Sequence, residues 1–286
     1  IVSRTGIRQR HIANENETAA SMATAAARDA LAYAGVDASE VDAIIVATAT
    51  PDEAFPSVAV RVQAALGAPR AFGFDLSAAC SGFIYALATA NAFIVAGQVR
   101  KVLVIGSEVY SRILDWSDRT TCVLCGDGAG AVLLEAEDVE GDARGVLSPP
   151  LDADGRLGDI LYVSGPGSQA GSALKMQGRE VFRHAVAKLS EAVDEALAAH
   201  HLTASDIQWL VPHQANLRII DGMARKLSLP EGRVVVTVDR HANTSAASIP
   251  LALNEAMRDG RIRKGDLVLM EGLGGGLTWG SALVRI

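Results

Sequence analysis

The organisation of this chain is clearest in residues 74–106, FDLSAACSGFIYALATANAFIVAGQVRKVLVIG, which predict a strand, a tight turn, an Ala-rich helix, a Gly stop and a second strand. Residues 238–272, VDRHANTSAASIPLALNEAMRDGRIRKGDLVLMEG, repeat this order. In this second copy, GRIRK occupies the position that GQVRK has in the first. Upstream, GVDASEVDAIIVATAT (35–50) parallels HLTASDIQWLVPHQAN (201–216), each with a Ser that can cap a turn. The chain is therefore predicted to be a duplication with an offset of roughly 165 residues.

The segments around these copies complete the pattern. Apolar residues at helical spacing predict a helix in ETAASMATAAARDALAYAG and in REVFRHAVAKLSEAVDEALAAH, whereas GAGAVLLEAE and LTWGSALVRI predict closing strands. Strands that alternate with helices indicate an α/β fold whose parallel sheets are covered by helices. Residues 78–96 contain no charge, so the first Ala-rich helix is expected to be buried on every side. Two halves placed back to back would bring the two Ala-rich helices together in the middle.

The predicted halves are residues 1–144 and 145–286, and their boundary lies in the acidic, Gly-containing segment EDVEGDARG (137–145). The second half is expected to start with a strand at about residues 145–148, well before its first helix. By symmetry, the first half is expected to have a leading strand of about 20 to 35 residues before Ile1.

Composition excludes several classes of protein. With 286 residues and 49% hydrophobic content, the chain can bury a large core. A net charge of -7 offers no general attraction to nucleic acid or to anionic lipid. An uninterrupted apolar run of about 18 residues is absent, and so is a charged-then-apolar leader, which predicts a soluble, cytoplasmic protein.

The cysteines point to a reducing compartment, because three is an odd number and the spacing fits no disulfide framework. Cys122 and Cys125 form a single C-x-x-C, whereas zinc sites need two such pairs or added histidines. The surrounding run TTCVLCGDGAGAVLLEAE resembles a strand, so both are expected to be buried structural thiols. No metal site is predicted.

Three residues could carry chemistry. Cys80 lies at a strand-to-helix turn, where the helix N-terminus favours thiolate over thiol. His213 follows a strand of the second half, at the edge where open α/β sheets place their ligands. Asn243 lies at nearly the same stage of the second copy as Cys80 does in the first. Each also has an ordinary interpretation, as a buried small residue, a satisfied histidine and a helix cap. The duplication would nevertheless bring the starts of the two central helices, and hence these groups, into one cavity.

The glycine run GLGGG (272–276) is by itself a weak signal. It lacks the Gly-Lys-Ser ending of a phosphate loop and leads into a strand, so it is either a flexible turn or a site where a bare main-chain N–H faces a developing oxyanion.

The segments DLSAACSGF, VPHQANLRI, DRHANTSAAS and EGLGGGLTWGSALVR, in this order, resemble the β-ketoacyl-acyl-carrier-protein synthase III family. The resemblance covers essentially the whole chain and implies a thiolase-like duplicated αβαβα layered fold, with two mixed sheets around buried central helices. It implies an acyltransferase that condenses a short acyl-CoA, with acetyl-CoA as the expected substrate, with malonyl-acyl-carrier protein to start fatty acid synthesis. It further implies that CO2 is released, that acyl-CoA is a substrate, that no cofactor is required and that the protein forms a homodimer.

The same resemblance implies residue roles. Cys80 would be the acylated nucleophile, and His213 and Asn243 would promote malonyl decarboxylation. The N–H groups of Cys80 and Gly275 would form the oxyanion hole. Further implied contacts are CoA binding by Arg4 and Arg119, carrier binding by Arg218, Arg225 and Lys226, and an acyl pocket formed by Cys125, Leu273 and Phe55, the last from a dimer partner. Cys125 and Leu273 replace larger residues of many relatives and are expected to widen that pocket.

Three alternatives stay open from the sequence. A Cys-His-Asn hydrolase uses the same residue types, although the C-G-S-C-W segment of papain-like proteases does not occur here. A related condensing enzyme could prime polyketide or other specialised acyl synthesis. A non-catalytic paralogue could bind the carrier protein alone, although the presence of all three catalytic residue types argues against it.

Overall fold

The computed structural model describes residues 1–138, 144–147, 150–165, 173–230 and 232–286. Its helices are α1 (Val2–Thr5), α2 (Ala19–Ala34), α3 (Val58–Leu66), α4 (Gly82–Val95), α5 (Gly178–Ala199), α6 (Leu217–Lys226), α7 (Val238–His241) and α8 (Ser248–Arg258). Its strands are β1 (Ala43–Ala47), β2 (Phe72–Leu76), β3 (Lys101–Glu108), β4 (Gly128–Glu135), β5 (Gly145–Val146), β6 (Leu151–Ala153), β7 (Leu161–Val163), β8 (Leu174–Met176), β9 (Trp209–Pro212), β10 (Leu267–Gly274) and β11 (Thr278–Arg285).

Two mixed sheets form the framework. The first has the order β2-β1-β3-β4, with β1 parallel to β2 and β3 and with β4 antiparallel to β3. The second has the order β5-β11-β10-β9, with β9 parallel to β10 and with β11 antiparallel to β10, while β6 also pairs with β11. Strands β7 and β8 form a separate pair. The predicted repeat therefore appears as two similar sheets, and the predicted layered α/β fold with mixed sheets is confirmed.

The two central helices pack between the sheets. Helix α4 contacts strands of both sheets, and so does α8. The core between the sheets contains side chains from the central strands β1, β3, β9 and β10. Ile45, Val104, Val211 and Met270 are all buried in one cluster. The expectation that α4 is buried along its whole length is wrong at its C-terminal end, because Val95 is 77% exposed. Only the turns of α4 that lie between the sheets are enclosed.

A 3-10 turn precedes each central helix and shows the duplication at the level of single residues. The turns are Ala79–Ser81 and Ser245–Ala247, and their first residues have similar positive φ angles of 45° and 50°. Cys80, the second residue of its turn, therefore corresponds to Ala246. Asn243 precedes its turn, so its predicted equivalence to Cys80 is shifted along the chain.

Local capping differs from the sequence prediction. The short turn before β1 is capped by Asp37 and the one before β9 by Thr203, whereas the predicted serines lie inside these turns. The strand expected around Cys122 and Cys125 begins only at Gly128, although both thiols are buried. Instead, Cys125 forms an isolated bridge with Asn243, which leaves it beside the site rather than within the sheet.

The start of the second half is described in part. Strand β5 confirms the predicted strand at residues 145 and 146, whereas residue 148 lies outside the described residues. The predicted boundary adjoins residues 139–143, also outside them, and the division at 144 and 145 stays a prediction.

The outer edges of the two sheets differ in whether another strand pairs with them. Strands β5 and β6 cover the edge of β11, whereas no described strand pairs with the outer edge of β4. Side chains of α2, β4 and α8 line a groove of about 620 Å³ along that edge. Among the described residues, no helix combines the length and the apolar character that crossing a lipid bilayer demands.

Candidate active site

A cavity of about 1040 Å³ opens at the carboxyl ends of the central strands and contains the three residues singled out from the sequence. Cys80 reaches it from the turn before α4, His213 from the end of β9 and Asn243 from the segment before α8. Gly275, just after β10, lines the same cavity. The predicted convergence of thiol, imidazole and carboxamide is therefore present.

Small residues allow the two halves to approach closely at this point. A Cβ atom on Gly272 would lie 3.2 Å from the main-chain oxygen of Cys80 and 3.6 Å from the Cβ of His213. A Cβ atom on Gly82 would lie 3.4 Å from the Cβ of Ala246, in the corresponding turn of the other half. Strand β10 passes directly against the Cys80 turn and against His213. The same strand therefore fixes the positions of both residues.

Burial opposes the activation of the Cys80 thiol that its position at a helix start predicts. The thiol is buried, and burial raises its pKa to about 12, far above the ordinary value. A side-chain interaction with Ser245 lowers this pKa, while the charge of Glu108 raises it further. Removal of water from the thiolate therefore acts against the preference for thiolate that the helix N-terminus predicts.

His213 is held as a neutral imidazole. Burial lowers its pKa to about 4, and it carries no proton charge at neutral pH. Its Nδ1 atom lies 2.7 Å from Oγ of Ser248, and the main-chain N–H of Gln214 donates to the same Oγ at 3.3 Å. The Ser248 proton is thus available to Nδ1, which assigns the imidazole proton to Nε2.

Asn243 is held so that its amide nitrogen is available. Its Oδ1 accepts a hydrogen bond of 2.8 Å from the main-chain N–H of Ser245, which assigns the oxygen and leaves Nδ2 as the free donor. Its main chain is bonded to both neighbours of Cys125, donating to Leu124 at 3.0 Å and accepting from Gly126 at 2.9 Å. A second neutral N–H donor therefore lines the cavity beside His213.

The N–H groups predicted to form an oxyanion hole lie in the Cys80 turn and just after β10. Within the described part of the chain, neither the Cys80 N–H nor the Gly275 N–H donates to a main-chain carbonyl, while the Cys80 N–H interacts with its own thiol. The Oγ1 atom of Thr278 lies 2.8 Å from Oγ of Ser81 and donates to the carbonyls of Ala78 at 3.1 Å and Gly275 at 3.3 Å. These contacts join the two segments that carry these N–H groups.

The pocket residues expected for the acyl chain are found in part. Cys125 and Leu273 are buried and line the cavity, as the resemblance implies. Tyr110 lines it too and is almost fully buried, so its ring occupies space beside the small Cys125. Phe55 does not line this cavity, and its side chain is 85% exposed on the segment between β1 and α3.

The cationic residues divide into two groups. Arg4 and Arg218 line the cavity, together with Arg179. Arg119 does not line it but is exposed beside Thr120, which does. Two more predicted cations, Arg225 and Lys226, are exposed at the end of α6, and Lys226 Nζ lies 3.2 Å from Asp194 Oδ2. Of the carrier-binding residues predicted on α6, only Arg218 reaches the entrance.

Sequence reasoning missed several polar residues around the thiol, namely Glu108, Tyr110, Ser245 and Ser248. Glu108 ends β3 in the first sheet, and the carboxyl end of a parallel strand is a signal that could have drawn attention to it. Ser245 and Ser248 lie in the quoted segment DRHANTSAAS, but a serine after a turn is commonly only a cap.

A thiol that can carry an acyl group, placed beside two neutral N–H donors that can hold an enolate, is what joining two thioesters through a carbon–carbon bond requires. Together with the duplicated fold, this arrangement places the protein in the class of thiolase-like condensing enzymes.

Comparison with known proteins identifies the family. Residues 74–155 match the family model of 3-oxoacyl-[acyl-carrier-protein] synthase III, and residues 197–286 match the model of its C-terminal part. A β-ketoacyl-[acyl-carrier-protein] synthase III of Acidiphilium cryptum is 66% identical over 100% of this chain and 89% of its own length.

Solved structures agree. The 3-oxoacyl-[acyl-carrier-protein] synthase III of Aquifex aeolicus has a TM-score of 0.94 and 46% identity, over 100% of this chain and 90% of that one. The priming β-ketosynthase of the R1128 polyketide pathway has a TM-score of 0.94 and 41% identity, over 99% of this chain and 86% of that one.

The chain belongs to the β-ketoacyl-acyl-carrier-protein synthase III family. It is an acyltransferase, a condensing enzyme of the type that initiates fatty acid synthesis.

Proposed function

We propose that Cys80 accepts the acyl group of an acyl-CoA as a thioester, and that His213 and Asn243 then act on malonyl-acyl-carrier protein. The observation that supports this proposal is the placement of the three side chains in one cavity, with Nδ1 of His213 and Oδ1 of Asn243 already bonded, so that Nε2 and Nδ2 are the donors assigned to the substrate. Exchange of one thioester for another costs little free energy, so a thiol is suited to hold the acyl group between the two half-reactions.

In the second half-reaction, the carbonyl oxygen of the malonyl thioester receives hydrogen bonds from Nε2 of His213 and Nδ2 of Asn243. The C–C bond to the carboxylate breaks, CO2 leaves, and the electron pair moves into an enolate whose oxygen these donors hold. A neutral imidazole suits this step, since its pKa of about 4 keeps its donor properties constant across the neutral range. Two N–H donors can stabilise the enolate without a metal ion or cofactor.

The enolate carbon then attacks the acyl carbonyl on Cys80. The resulting oxyanion would be held by the main-chain N–H groups of Cys80 and Gly275, which donate to no main-chain carbonyl among the described residues. Collapse of this intermediate expels the Cys80 thiolate and releases a 3-oxoacyl-acyl-carrier protein.

The primer is proposed to be acetyl or another short acyl group. Leu273 and Cys125 leave room, but the buried ring of Tyr110 occupies part of the same cavity. We also propose a homodimer in which Phe55 of each protomer closes the acyl pocket of the other, which would account for so exposed an aromatic side chain. A panel of acyl-CoA lengths measures this preference, and a preference for eight carbons or more would contradict it.

Charged groups near the entrance suit the two anionic substrates. Arg4 and Arg119 are proposed to bind the CoA phosphates and nucleotide, and Arg218, with Arg225 and Lys226 further along α6, to bind the acidic carrier protein. A cytoplasmic location is proposed because all three cysteines are free thiols, and the proposed reaction needs Cys80 in its reduced form.

The decisive experiment is labelling with radioactive acetyl-CoA. The expected result is one acetyl group per chain, retained after denaturation, with no label on Cys80→Ala. The variant Cys122→Ala is the matched control, because Cys122 is also buried but does not line the cavity, and it is expected to label fully. An unlabelled native protein would favour a role in carrier binding alone.

A second function is favoured by one observation, the similarity to a polyketide-priming β-ketosynthase. Both functions use the same first half-reaction. They separate by the acyl-CoA that reacts fastest, since the priming of a specialised pathway would show as a preference for another starter over acetyl-CoA.

A further inference from the structure

The parallel hydrogen-bond ladder beside β9 is interrupted at Pro212. The N–H of Leu210 donates to the carbonyl of Arg233, and the carbonyl of Leu210 accepts from the N–H of Val235, each at 2.9 Å. The next pair of ladder bonds would join the N–H of residue 212 to the Val235 carbonyl and the Thr237 N–H to the carbonyl of residue 212. Because Pro212 has no N–H, this pair cannot form.

The side-chain amide of Gln214 fills this gap. Its Nε2 donates to the carbonyls of Pro212 at 2.8 Å and Val235 at 3.1 Å. Its Oε1 accepts from the main-chain N–H groups of Thr237 at 2.8 Å and Val238 at 3.0 Å. Gln214 is fully buried, and both donors and both acceptor sites of its amide are used. One amide group therefore joins β9 to residues 235–238 at the point where the ladder stops.

This amide lies between the two segments that carry the enolate donors. On one side, His213 directly follows Pro212 at the end of β9. On the other side, Val238 begins the short helix α7, and its carbonyl accepts from the N–H of Ala242 at 3.1 Å. Asn243 is the next residue. A shift of either segment about the amide therefore changes the separation between the imidazole and the carboxamide.

The main chain of Gln214 adds a second link to the same site. Its N–H donates to Ser248 Oγ at 3.3 Å, and this hydroxyl lies 2.7 Å from Nδ1 of His213. The Cys80 turn is held differently, since it packs against Gly274 of β10. Among the described residues, no hydrogen bond joins Gln214 to the Cys80 turn.

We propose that Gln214 is a positioning residue for decarboxylation, because its buried amide sets the separation of the His213 and Asn243 donors. In the proposed reaction, the thioester oxygen of the malonyl group meets both donors at once, so displacement of one donor weakens the stabilisation of the enolate. Gln214 does not line the cavity and acts only through its neighbours. This proposal rests on the proposed roles of His213 and Asn243.

The test is the variant Gln214→Glu, which keeps the size of the side chain but replaces the amide nitrogen by a titratable oxygen. At low pH the introduced carboxyl group is protonated, and its O–H donates to one of the two carbonyls. At high pH it is ionised, and its oxygen faces both carbonyls without a proton. The expected result is a drop of about 100-fold in first-turnover CO2 release from malonyl-acyl-carrier protein, relative to the native rate at the same pH. The drop is expected between about pH 6 and about pH 9, where a buried carboxyl group ionises.

The new pH dependence is diagnostic of the introduced group. None of the groups that bond to the Gln214 amide ionises in this range, and the pKa of His213, about 4, keeps the imidazole neutral throughout. Acetylation of Cys80 by acetyl-CoA is expected to stay within about twofold of the native rate at every pH, which also shows that the variant is folded.

Gln208→Glu is the matched control. Gln208 precedes β9, and its Oε1 accepts from the Leu267 N–H at 2.7 Å, outside the cavity. This variant is expected to gain no pH dependence of CO2 release. Gln214→Asn is the second variant, because it keeps an amide that is too short to reach both segments. It is expected to lower CO2 release about tenfold and to keep acetylation.

A relative rate of CO2 release that stays constant with pH in Gln214→Glu would overturn the positioning role, and so would native CO2 release in Gln214→Asn. Equal loss of both half-reactions would also overturn it, since that result indicates a structural residue only. Failure of the native protein to take up acetyl groups on Cys80, or native CO2 release in Asn243→Ala, would instead contradict the proposed function. The two failures are therefore distinguishable.

Discussion

Gly274 packs directly against the main-chain nitrogen of Cys80. A Cβ atom at position 274 would lie 2.7 Å from this nitrogen and 2.6 Å from the carbonyl oxygen of Ala78, closer than real side-chain carbons approach. Strand β10, which Gly275 follows directly, is thus brought close to Cys80 only because residue 274 has no side chain.

Gly274→Ala is therefore expected to separate β10 from the Cys80 turn. We expect an unfolding free energy lower by about 1–3 kcal/mol, the ordinary cost of overpacking, and a large loss of condensation. Chemical denaturation and the assay of the full reaction measure these effects. Gly155→Ala is the matched control, because a Cβ atom there meets nothing within 4 Å. Native activity in Gly274→Ala would show that the close approach is not required.

Ser248→Ala tests the assigned tautomer of His213. Without the hydroxyl that lies 2.7 Å from Nδ1, the imidazole proton is no longer directed to Nε2. CO2 release from malonyl-acyl-carrier protein is expected to fall about tenfold, the equivalent of one hydrogen bond, while acetylation of Cys80 is unchanged. Ser190→Ala, which removes a hydroxyl bonded only within and beside α5, should affect neither step. Equal loss of both steps would contradict the assignment.

Asn243→Ala is expected to separate acylation from condensation. Removal of one of the two enolate donors should reduce CO2 release by about 100-fold or more, whereas labelling of Cys80 by acetyl-CoA persists. Asn254→Ala, a change of the same residue type on α8 outside the cavity, provides the comparison. If Asn243→Ala lost both steps, its assignment to the second half-reaction would be wrong.

The raised pKa of Glu271 predicts how the free energy of unfolding depends on pH. Its side chain is buried, its Oε2 has no partner among the described residues, and burial raises its pKa from 4.5 to about 8. Between these values the unfolded chain has released the proton and the folded chain has kept it, so stability falls as the pH rises through this range. Glu271→Gln should remove up to about 4 kcal/mol of this fall, measured by denaturation at both ends of the range. An unchanged slope would contradict the raised pKa.

Arg218→Glu tests carrier binding. Reversal of charge at the entrance is expected to raise KM for malonyl-acyl-carrier protein by about tenfold, with a smaller change in kcat, and to weaken the dependence on salt. Arg263→Glu makes the same change of charge at an exposed site that does not line the cavity. An equal response of both variants would show that the effect comes from the net charge of the protein and not from the position of Arg218.

The sequence predicted the parts of this molecule that are repeated. The duplication, the presence of two sheets and the convergence of Cys80, His213 and Asn243 could be inferred because a repeat relates residues that are distant in the chain, whereas the mixed strand directions were implied only by the family resemblance. The effect of burial on the Cys80 thiol could not be inferred, since it depends on how much water the folded pocket excludes, and that burial raises the pKa of the thiol.

Glu108 and Ser245 were missed for a related reason. They lie far apart in the chain and have no counterpart in the pattern of the repeat, so only the packing of β3 against the turn before α8 brings them together. The burial of the C-terminal end of α4 was predicted wrongly. A run without charged residues shows that a helix can be buried, but it does not show that another element covers it, and Val95 is exposed.

The matching turns before α4 and α8 have a consequence for how such a site can change over time. Cys80 and Ala246 stand on nearly the same backbone, yet only one of them carries a reactive group. The thiol thus belongs to the turn of the first copy by side-chain choice alone, while the matching turn of the second copy carries alanine. New chemistry could arise at this place by exchanging a few side chains, with no demand on the main chain to adopt another course.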